Sequence, residues 1–422
     1  MKYQKPTGTQ DLLPGKVEKW QYVENIARNI CRRFNFKEIR TPIFEMTELF
    51  KRGVGETTDI VEKEMYTFQD KGDRSMTLRP EGTAGVVRAY VENKLYGESE
   101  ISKLFYIGPM FRYERPQAGR YRQLHQFGVE VIGSADPSVD AEVIALGYLF
   151  YKEIGLQGVT VEINSVGNPT SRAAYSLEIR KFLAPIKEKL CSDCQSRYER
   201  NPMRILDCKE DQSYFHGAPS ILDSLDLECS SHFEDVKFFL TEMGIDFVVN
   251  PRIVRGLDYY TQTAFEYKAQ GIGTIDTVGG GGRYNSLVGQ IGGEDQPGVG
   301  LGLGLERALI LLEKQEVVIP QADSLFIYLA SDTKKADKEI TSLVFQLRSE
   351  HISADKDYKG RKIKNQFKSA ERLGARYLAI LGEKELLNGE ISLKLTGSDQ
   401  RETIRLEDFV AVMLNKLKGM EG

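Results

Sequence analysis

Hydrogen-bonding side chains alternate along two neighbouring stretches, LFYIGPMFRYE and QFGVEVIG, which have the apolar runs of two strands. Side chains on a strand alternate between its faces, so Arg112 and Glu114 share one face of the first strand. Gln126 and Glu130 likewise share one face of the second. An arginine fork suits a carboxylate or a phosphate, and an amide and a carboxylate suit an ammonium or a ring N–H. The pattern predicts a floor that binds a small zwitterion and a phosphate. A solvated sheet face with ordinary salt bridges is the alternative.

The polar loop between these strands, RPQAGRYRQLH, carries three arginines and no acidic residue. Arg115, Arg120 and Arg122 lie close to Tyr121 in sequence, and basic loops with an interleaved aromatic residue often meet nucleic-acid phosphates. A flexible charged hairpin tip is the alternative interpretation.

The stretch VRGLDYYTQTAFEY places an arginine before two adjacent tyrosines and a strand. Tyr259 and Tyr260 would point to opposite faces of an extended chain, so one can pack while the other presents its hydroxyl to a ligand. Arg255 could stabilise charge at a phosphoryl centre without a metal.

Glycines alternate in GVGLGLGLERALILLE, just before a helix that begins with Glu306 and Arg307. Alternating glycines leave one face of a strand bare, so that a flat ring such as a purine can lie on it. The dinucleotide fingerprint G-x-G-x-x-G fails because Leu305 stands at its last position, and the sequence has no G-x-x-x-x-G-K-[ST] phosphate loop. If ATP binds, it binds by another scheme.

The elements that would position these groups indicate an α+β domain followed by a smaller α/β domain. Apolar spacing predicts a helix from Lys16 to about Phe34. Apolar runs predict strands at 36–43, 75–78, 104–111, 127–132 and 159–163, and in FVVNPRIV and TAFEYKAQ. Helical spacing at about 170–230 indicates an insertion, and the turn-rich IPQADS indicates a boundary. We expect domains at 1–320 and 321–422.

Composition excludes two broad classes of protein. A net charge of −4 with a pI near 5.9 is wrong for a polycation that coats nucleic acid, so any such contact must use local patches. The longest apolar stretch is interrupted by Glu306 and Arg307, which argues against a membrane span. The start, MKYQKPTGTQDLLPGK, does not read as a secretory leader, and five cysteines do not suggest a disulfide scaffold, so we expect a cytoplasmic protein.

Four of the cysteines fall in the expected insertion: Cys191, Cys194, Cys208 and Cys229. They give one C-x-x-C pair followed by two widely spaced single cysteines, whereas zinc knots prefer a second close pair. We therefore expect no metal and free thiols. The four histidines form no H-E-x-x-H motif, which argues against a catalytic zinc.

One segment of the C-terminal domain is strongly basic. Between 356 and 376, eight basic residues oppose Asp357 and Glu371: Lys356, Lys359, Arg361, Lys362, Lys364, Lys368, Arg372 and Arg376. Ile363, Phe367 and Ala370 recur at helical spacing and would face a core, which leaves the basic residues outside. RNA binding and a solvated helix face both fit this pattern.

Several blocks together resemble the histidyl-tRNA synthetase family: TLRPEGTA, the hairpin with FRYERP and RYRQLHQFGVEVIG, RGLDYYT, GGGGRY and GLGLERALILLE. The similarity extends from KPTGTQDLLP to the end of the chain. The hairpin and the glycine–Glu–Arg block resemble motifs 2 and 3 of all class II synthetases, and RGLDYY points to histidine. The sequence departs from the family pattern at Gln262, where a small or different polar residue is frequent, and at Asn285, where many members have aspartate.

This resemblance implies a ligase of bacterial type that activates histidine with ATP and Mg²⁺ and transfers it to the 3′ end of tRNA(His). It implies a homodimer whose catalytic domain is a six-stranded antiparallel sheet flanked by helices, with a helical insertion and a C-terminal α/β anticodon-binding domain. The residues assigned to the α-amino group of histidine are Glu81, Thr83 and Gln126. Glu130 and Tyr260 would read the imidazole, and Tyr259 would shape its pocket.

The resemblance also assigns the ATP contacts. Arg112 would hold the α-phosphate and Arg307 the γ-phosphate of a bent ATP. Arg255 would stabilise the pentacoordinate α-phosphorus, and Glu114 would contact ATP. The residues expected to contact tRNA are Arg115, Arg120, Arg122, Lys362 and Lys364. GGGGRY would serve as scaffold.

Three other functions stay open at this point. A regulatory paralogue would tend to lack the anticodon domain and parts of RGLDYY, and both are present here. A nucleotide-dependent oxidoreductase is disfavoured by the failed fingerprint. A synthetase for another amino acid is the mildest alternative.

Overall fold

The computed structural model describes residues 3–55, 58, 60–208, 210–254, 257–272, 275–320, 325–398 and 400–421. The chain divides into two compact units, Met1–Ile319 and Pro320–Gly422. No helix among the described residues is both long enough and apolar enough to cross a membrane.

Most of the first unit is built on one large sheet. The strands of the first unit are β1 (Lys37–Glu38), β2 (Phe44–Met46), β3 (Tyr66–Gln69), β4 (Ser75–Leu78), β5 (Ser102–Phe111), β6 (Gln123–Ile132), β7 (Thr160–Ser165), β8 (Phe247–Val249), β9 (Thr261–Ile272), β10 (Ile275–Arg283) and β11 (Gly298–Gly304). Among the described residues, eight of them form one sheet in the order β1-β5-β6-β11-β10-β9-β7-β8, and β2-β4-β3 form a second. The six inner strands of the large sheet pair antiparallel. The sheet is wider than the expected six strands, because the short edge strands β1 and β8 add to it in parallel.

Helices cover the large sheet and bury its apolar face. The helices of the first unit, some of which lie outside this layer, are α1 (Val17–Arg33), α2 (Thr47–Val54), α3 (Thr83–Glu92), α4 (Pro137–Glu153), α5 (Pro169–Leu183), α6 (Ser192–Arg200), α7 (Leu227–Glu242), α8 (Leu287–Gln290) and α9 (Leu305–Lys314). α4 packs on β11, α9 packs on β6, and α1 contacts both of these helices. Val23, Ala27 and Ile30 of α1 recur at helical spacing and are fully buried in this core.

Two predicted strands are shorter than the sequence indicated, and each contains a proline. The run at 36–43 pairs only at Lys37 and Glu38 before Pro42, and β2 begins after it. FVVNPRIV pairs only over its first three residues before Pro251. Proline has no N–H to donate to a ladder, so neither run can continue as a paired strand through its proline.

The insertion between β7 and α7 is helical. After α5 and α6 it continues in short 3₁₀ turns at Pro202–Asp207, Gln212–Phe215 and Ile221–Ser224. It has a small apolar core of its own, in which Tyr175, Ile179 and Leu183 of α5 pack with residues from these turns.

The second unit is a five-stranded mixed sheet with helices, counted over its described residues. Its elements are β12 (Ile327–Ser331), α10 (Lys334–Ser349), β13 (Ala354–Lys356), α11 (Ile363–Arg372), β14 (Tyr377–Leu381), α12 (Glu383–Asn388), β15 (Glu390–Leu395), β16 (Arg401–Arg405) and α13 (Phe409–Glu421), and the strand order is β13-β12-β14-β15-β16. Its basic stretch is less exposed than its sequence suggests. Lys356 is buried and donates to the Asp337 carboxylate at 2.7 Å, and Arg361 pairs with Asp357. Lys362 and Lys364, at the start of α11, are exposed.

A buried ion pair joins the start of α4 to the end of β10. Arg283 and Asp140 are both fully buried, and Arg283 Nε donates to both carboxylate oxygens at 3.1 Å. The Arg283 guanidinium also donates to the Ser134 carbonyl at 2.8 Å. Although burial opposes ionisation, Arg283 and His232 hold the pKa of Asp140 below its usual value. The pair therefore ties the helix layer to the middle of the sheet.

Replacing one member of this pair should destabilise the first unit strongly. Asp140→Ala leaves the Arg283 charge buried without its partner, so we expect the free energy of unfolding to fall by about 3–5 kcal/mol in urea denaturation. The control is Glu142→Ala on the same helix, which removes the partly exposed pair with Lys103 and should cost less than about 1 kcal/mol. Equal losses of unfolding free energy in the two variants would contradict the prediction that the buried pair contributes more than the partly exposed one.

Candidate active site

A buried carboxyl group stands in the middle of the large sheet. Glu130, on β6, is fully buried, and three hydroxyl groups surround it. Its Oε1 accepts a hydrogen bond from Thr83 Oγ1 at 2.7 Å, and its Oε2 accepts one from the Tyr284 hydroxyl at 2.6 Å. The Tyr106 hydroxyl lies 3.4 Å from Oε1. These donors come from α3, from the residue after β10 and from β5, so the fold itself assembles the network.

A second buried carboxylate lies at the start of α3. Glu81 accepts the backbone N–H groups of Thr83 and Ala84, at 2.6 and 2.8 Å. These N–H groups have no backbone partner within the first helical turn, so Glu81 caps the helix. Its carboxylate faces the same interior as Glu130. Burial raises the pKa of Glu81, and its backbone hydrogen bonds act in the opposite direction.

Burial also governs the ionisation of Glu130. It raises the pKa of this carboxyl to about 8, although the hydrogen bonds from Tyr284 and Thr83 lower it. Glu81 contributes a smaller repulsion that raises it further. Burial therefore favours the protonated form of Glu130 near neutral pH.

Aromatic rings form one wall beside these carboxyls. The Tyr259 and Tyr260 ring centroids are 4.7 Å apart, and Tyr259 meets the Tyr284 ring edge-on at 5.7 Å. All three rings are buried and pack in one cluster. Tyr284 contacts both Glu130 and Tyr259, and it therefore connects the Tyr259–Tyr260 pair to the buried carboxyl.

Glycines provide the space that the network needs. A Cβ atom at residue 300 would lie 1.9 Å from Glu130 Oε2, and one at residue 298 would lie 2.2 Å from the Tyr284 ring. Glycines 82 and 128 likewise make room for the Tyr106 ring. The alternating glycines of β11 therefore divide: Gly298 and Gly300 accommodate side chains of the protein, and only Gly302 and Gly304 line an open cleft.

This open cleft, of about 360 Å³, is lined by arginines. Arg307, Arg112 and Arg120 meet there around Glu114, whose oxygens lie 3.9 Å from Arg112 Nη1 and 3.3 Å from Arg120 Nε. Arg307 donates to the Thr277 carbonyl at 2.6 Å and to the Gly119 carbonyl at 3.2 Å. Burial, and then repulsion from Arg120, lowers the pKa of Arg307. Three carboxylates also line the cleft: Glu114 lies beside two of the arginines, Glu266 pairs with Lys268, and Glu306 accepts the His125 amide N–H. The convergence of three arginines favours a polyanionic ligand.

Two contacts fix this cleft to the buried carboxyls. Arg112 Nε donates to the Pro80 carbonyl at 2.8 Å, directly before Glu81. Glu306 accepts the His125 amide N–H at 2.9 Å, which holds the start of α9, and hence Arg307, against β6. Gln126 lines the cleft four residues before Glu130 on the same strand face.

The other predicted residues lie outside this assembly or cannot be placed. Arg255 lies outside the described residues. Arg115 is exposed in the hairpin loop, and Arg122 packs 3.9 Å over the Tyr113 ring rather than into the cleft. Lys362 and Lys364 belong to the second unit.

Three features of the site escaped the sequence analysis. Tyr106 and Tyr284 donate hydrogen bonds to Glu130 from segments that are distant in the chain. The family resemblance gave GGGGRY only as scaffold. The signal in the sequence was the set of glycines that faces them. The two departures from the family pattern also meet: Asn285 Nδ2 donates to Gln262 Oε1 at 3.0 Å, while Gln262 adopts a positive φ of 48°.

Comparison with known proteins identifies the family. The sequence profile described as histidyl-tRNA synthetase matches residues 8–174 and 176–308, and that described as an anticodon-binding domain matches residues 315–416. The chain belongs to the histidyl-tRNA synthetase family. This confirms the predicted family, its α+β class II fold and its activity as a histidine–tRNA ligase.

Individual relatives agree with this family over almost the whole chain. Histidine–tRNA ligases from Bacillus cytotoxicus and Anoxybacillus flavithermus are 53% and 52% identical, over 99% of this chain and all of theirs. The apo histidyl-tRNA synthetase structure from S. aureus superposes with a TM-score of 0.84 at 44% identity, covering 98% of this chain and all of that one. An ATP phosphoribosyltransferase regulatory subunit/histidyl-tRNA synthetase from Bacillus halodurans has a TM-score of 0.65 at 19% identity over 90% of this chain and 97% of that one, a likeness of fold. This family membership contradicts the alternative function of a nucleotide-dependent oxidoreductase.

The raised pKa of Glu130 predicts a pH dependence of stability in this synthetase family member. Because the folded pKa of about 8 exceeds the ordinary 4.5, the folded chain binds more protons than the unfolded chain between these values. The contribution of Glu130 to stability should therefore fall as pH rises, by up to about 1.4 kcal/mol per pH unit. Glu130→Gln removes this dependence, so its free energy of unfolding relative to wild type should increase between about pH 5 and pH 8. Parallel pH profiles in urea denaturation would contradict the raised pKa.

Proposed function

We propose that the two parts of the site bind the two substrates of adenylate formation, histidine at the buried carboxyls and ATP at the arginine cleft. The observation that carries this proposal is that a carboxyl pocket and a cationic cleft adjoin on one face of β6. Gln126 lines the cleft, and Glu130 is buried four residues further along the same strand. A histidine between them would offer its ammonium and imidazole to the first part and its carboxylate to the second.

The carboxyl pocket has the groups that a histidine side chain and ammonium require. Glu81, Thr83 and Gln126 would take the α-amino group, where Glu81 is held ready by the N–H groups of α3. Glu130 and Tyr260 would read the imidazole nitrogens, and Tyr259 would shape the pocket. Discrimination would be strong, because an amino acid without a ring N–H would leave buried polar groups unpaired, an effect that can reach roughly 10⁴–10⁵.

The cleft has the groups that a triphosphate requires. Arg112 would hold the α-phosphate, and Arg307 the γ-phosphate. Arg255 would stabilise the charge at the α-phosphorus, and the bare face of Gly302 and Gly304 would accept the purine. Mg²⁺ would arrive with ATP, and the carboxylates of Glu114 and Glu266 that line the cleft are oxygen ligands of the kind it prefers.

The reaction then needs little from the protein beyond position and charge. The carboxylate of histidine is already a nucleophile, so no general base is required. Its oxygen bonds to the α-phosphorus, the bond to the bridging oxygen breaks, and pyrophosphate leaves. The arginines stabilise the charge that builds up on the phosphoryl oxygens. A terminal ribose hydroxyl of tRNA(His) then attacks the acyl carbon, and AMP leaves.

The tRNA contacts would be divided between the two units. Arg115, Arg120 and Arg122 belong to the hairpin between β5 and β6, where an acceptor end would arrive. Arg120 lines the cleft, Arg115 is exposed in the loop, and Arg122 packs over the Tyr113 ring. Lys362 and Lys364 are exposed at the start of α11 in the anticodon-binding unit. We infer in addition that the chain works as a homodimer in the cytoplasm.

The two substrate pockets should respond separately to substitution. Arg307→Ala should lower kcat/KM for ATP in ATP–pyrophosphate exchange by about 10²–10³, because a preorganised charge is removed, and should change the KM for histidine little. Glu130→Gln should show the reverse pattern, with a raised KM for histidine and an almost unchanged KM for ATP. Each variant is the control for the other. If both variants impaired both substrates equally, the division of the site would be wrong.

Removal of the second unit should separate adenylation from tRNA charging. The residues proposed to bind histidine and ATP all precede the boundary at residue 319, so a chain that ends at about residue 322 should retain exchange activity. It should lose charging at low tRNA concentration. Full charging by the truncated chain would contradict an anticodon-reading role for the second unit.

The matched full-length control for that truncation is Lys362→Ala with Lys364→Ala. It should keep exchange unchanged and flatten the plot of log tRNA affinity against log salt, by roughly 0.7–0.9 for each phosphate that a lysine no longer neutralises. An unchanged salt slope would mean that these lysines do not meet tRNA.

A further inference from the structure

Three cysteines and one aspartate converge in the helical insertion. Cys191 precedes α6, and Cys194 lies in its first turn. Cys208 follows one 3₁₀ turn and Asp211 precedes the next. Their sulfur atoms and a carboxylate oxygen all lie within 4.8 Å of one another, and we call this group the Cys₃Asp cluster. In the part of the chain that the structure describes, no second group of three such side chains comes together.

The spacing of the sulfur atoms suits a shared ion. Cys191 Sγ and Cys208 Sγ are 3.7 Å apart. Two thiolates bound at about 2.3 Å to a tetrahedral zinc lie ~3.8 Å from each other. A disulfide would require about 2.05 Å, so the sulfur atoms would have to move much closer together to form one.

The aspartate is held in place as a ligand would be. Asp211 is 3% exposed, and the Cys191 amide N–H points at its two carboxylate oxygens, at 3.0 and 3.2 Å. A hydrogen bond from the backbone that orients a ligating carboxylate is a usual part of a metal site. Cys194 is fully buried, so the cluster is closed from at least one side.

We propose that the Cys₃Asp cluster binds one Zn²⁺ with all four side chains as ligands. Thiolates select zinc over hard cations such as Mg²⁺ and Ca²⁺, which prefer oxygen ligands. Four protein ligands complete a tetrahedron and leave no position for substrate, so the ion is structural and takes no part in catalysis.

The insertion is the kind of segment that benefits from such an ion. It has no strand among its described residues, and its core is a small cluster around Tyr175, Ile179, Leu183 and Phe215. Segments of this size seldom gain enough from a single core and are often cross-linked by a metal. A zinc ion would join the start of α6 to the two 3₁₀ turns that follow it.

The ion would also steady the insertion against the cleft. On α6, Arg200 lies 3.2 Å from a Glu62 oxygen, and Asp193 lies 3.8 Å from Lys63 Nζ. Glu62 and Lys63 belong to the helical turn that begins at Ile60, a residue that lines the arginine cleft. The zinc would hold the end of α6 that carries Asp193.

This proposal differs from what the cysteine spacing predicts, which is free thiols. Zinc knots often have a second close pair of cysteines, which this sequence lacks. In the structure the third thiol comes from a single cysteine, and the fourth ligand is Asp211. Cys229 lies on α7 outside the cluster, where its amide N–H donates to Asp226 at 2.9 Å.

Metal analysis of the full chain tests the proposal directly. After purification without chelators and exhaustive dialysis, we expect about one zinc per chain. Cys208→Ser should lose most of this zinc, whereas Cys229→Ser, the control outside the cluster, should retain it. A wild-type chain without zinc, or an equal fall in zinc content in the two variants, would overturn the proposal.

Cobalt substitution tests the ligand set and does not depend on variants that fold poorly. The wild-type chain reconstituted with Co²⁺ should show the visible bands of a tetrahedral ion and a thiolate-to-cobalt charge-transfer band in the near ultraviolet. Asp211→Cys should retain the ion and intensify the charge-transfer band, since a fourth thiolate replaces the carboxylate. A wild-type spectrum of octahedral Co²⁺, or a Cys191–Cys208 disulfide found by peptide mass in protein purified under reducing conditions, would contradict the proposal.

Discussion

A carboxyl group taken out of water in the middle of a sheet must find its hydrogen bonds within the protein. Glu130 is in this position, and the surrounding structure follows from it. Thr83 and Tyr284 supply hydroxyl donors from different elements, and the strand beside it has glycine at position 300, where any Cβ atom would collide with the carboxyl. The placement of α3, β10 and β11 is therefore bound to the chemistry of one side chain.

The arginine cleft is under a different constraint, because like charges must be held close together there. Arg112 and Arg120 repel Arg307, and Glu114 lies beside the first two. Backbone carbonyls accept hydrogen bonds from two of these arginines, since Arg307 donates to Thr277 and Arg112 donates to Pro80. Such an arrangement keeps cations close together without neutralising them, which leaves their charge available to a polyanion. The sheet thus presents a pocket of buried carboxyl groups and an arginine-lined cleft a few residues apart.

Local patterns in the sequence predicted more of the fold than of the site. The spacing of apolar residues in α1 and the alternation along β6 depend only on neighbours in the chain, and both led to correct elements and faces. The early ends of β1 and β8, which lie before Pro42 and Pro251, were not predicted, because an apolar run does not show where a missing N–H interrupts a ladder. The hydroxyls of Tyr106 and Tyr284, and the approach of Asp211 to three cysteines, arise from contacts between distant segments. No periodicity carries that information, although the family resemblance assigned Glu81, Thr83, Gln126 and Glu130 to one expected pocket.

The glycine at position 300 has a consequence for how this site can change over time. Because the neighbouring glycine has no side chain, a substitution of Glu130 alone by a smaller residue would leave a gap shaped for the carboxyl it replaced. A larger residue at position 300 could fill that gap only after the carboxyl had gone. The two positions can therefore be substituted in one order only, Glu130 before Gly300. A lineage that keeps Glu130 must also keep glycine at position 300.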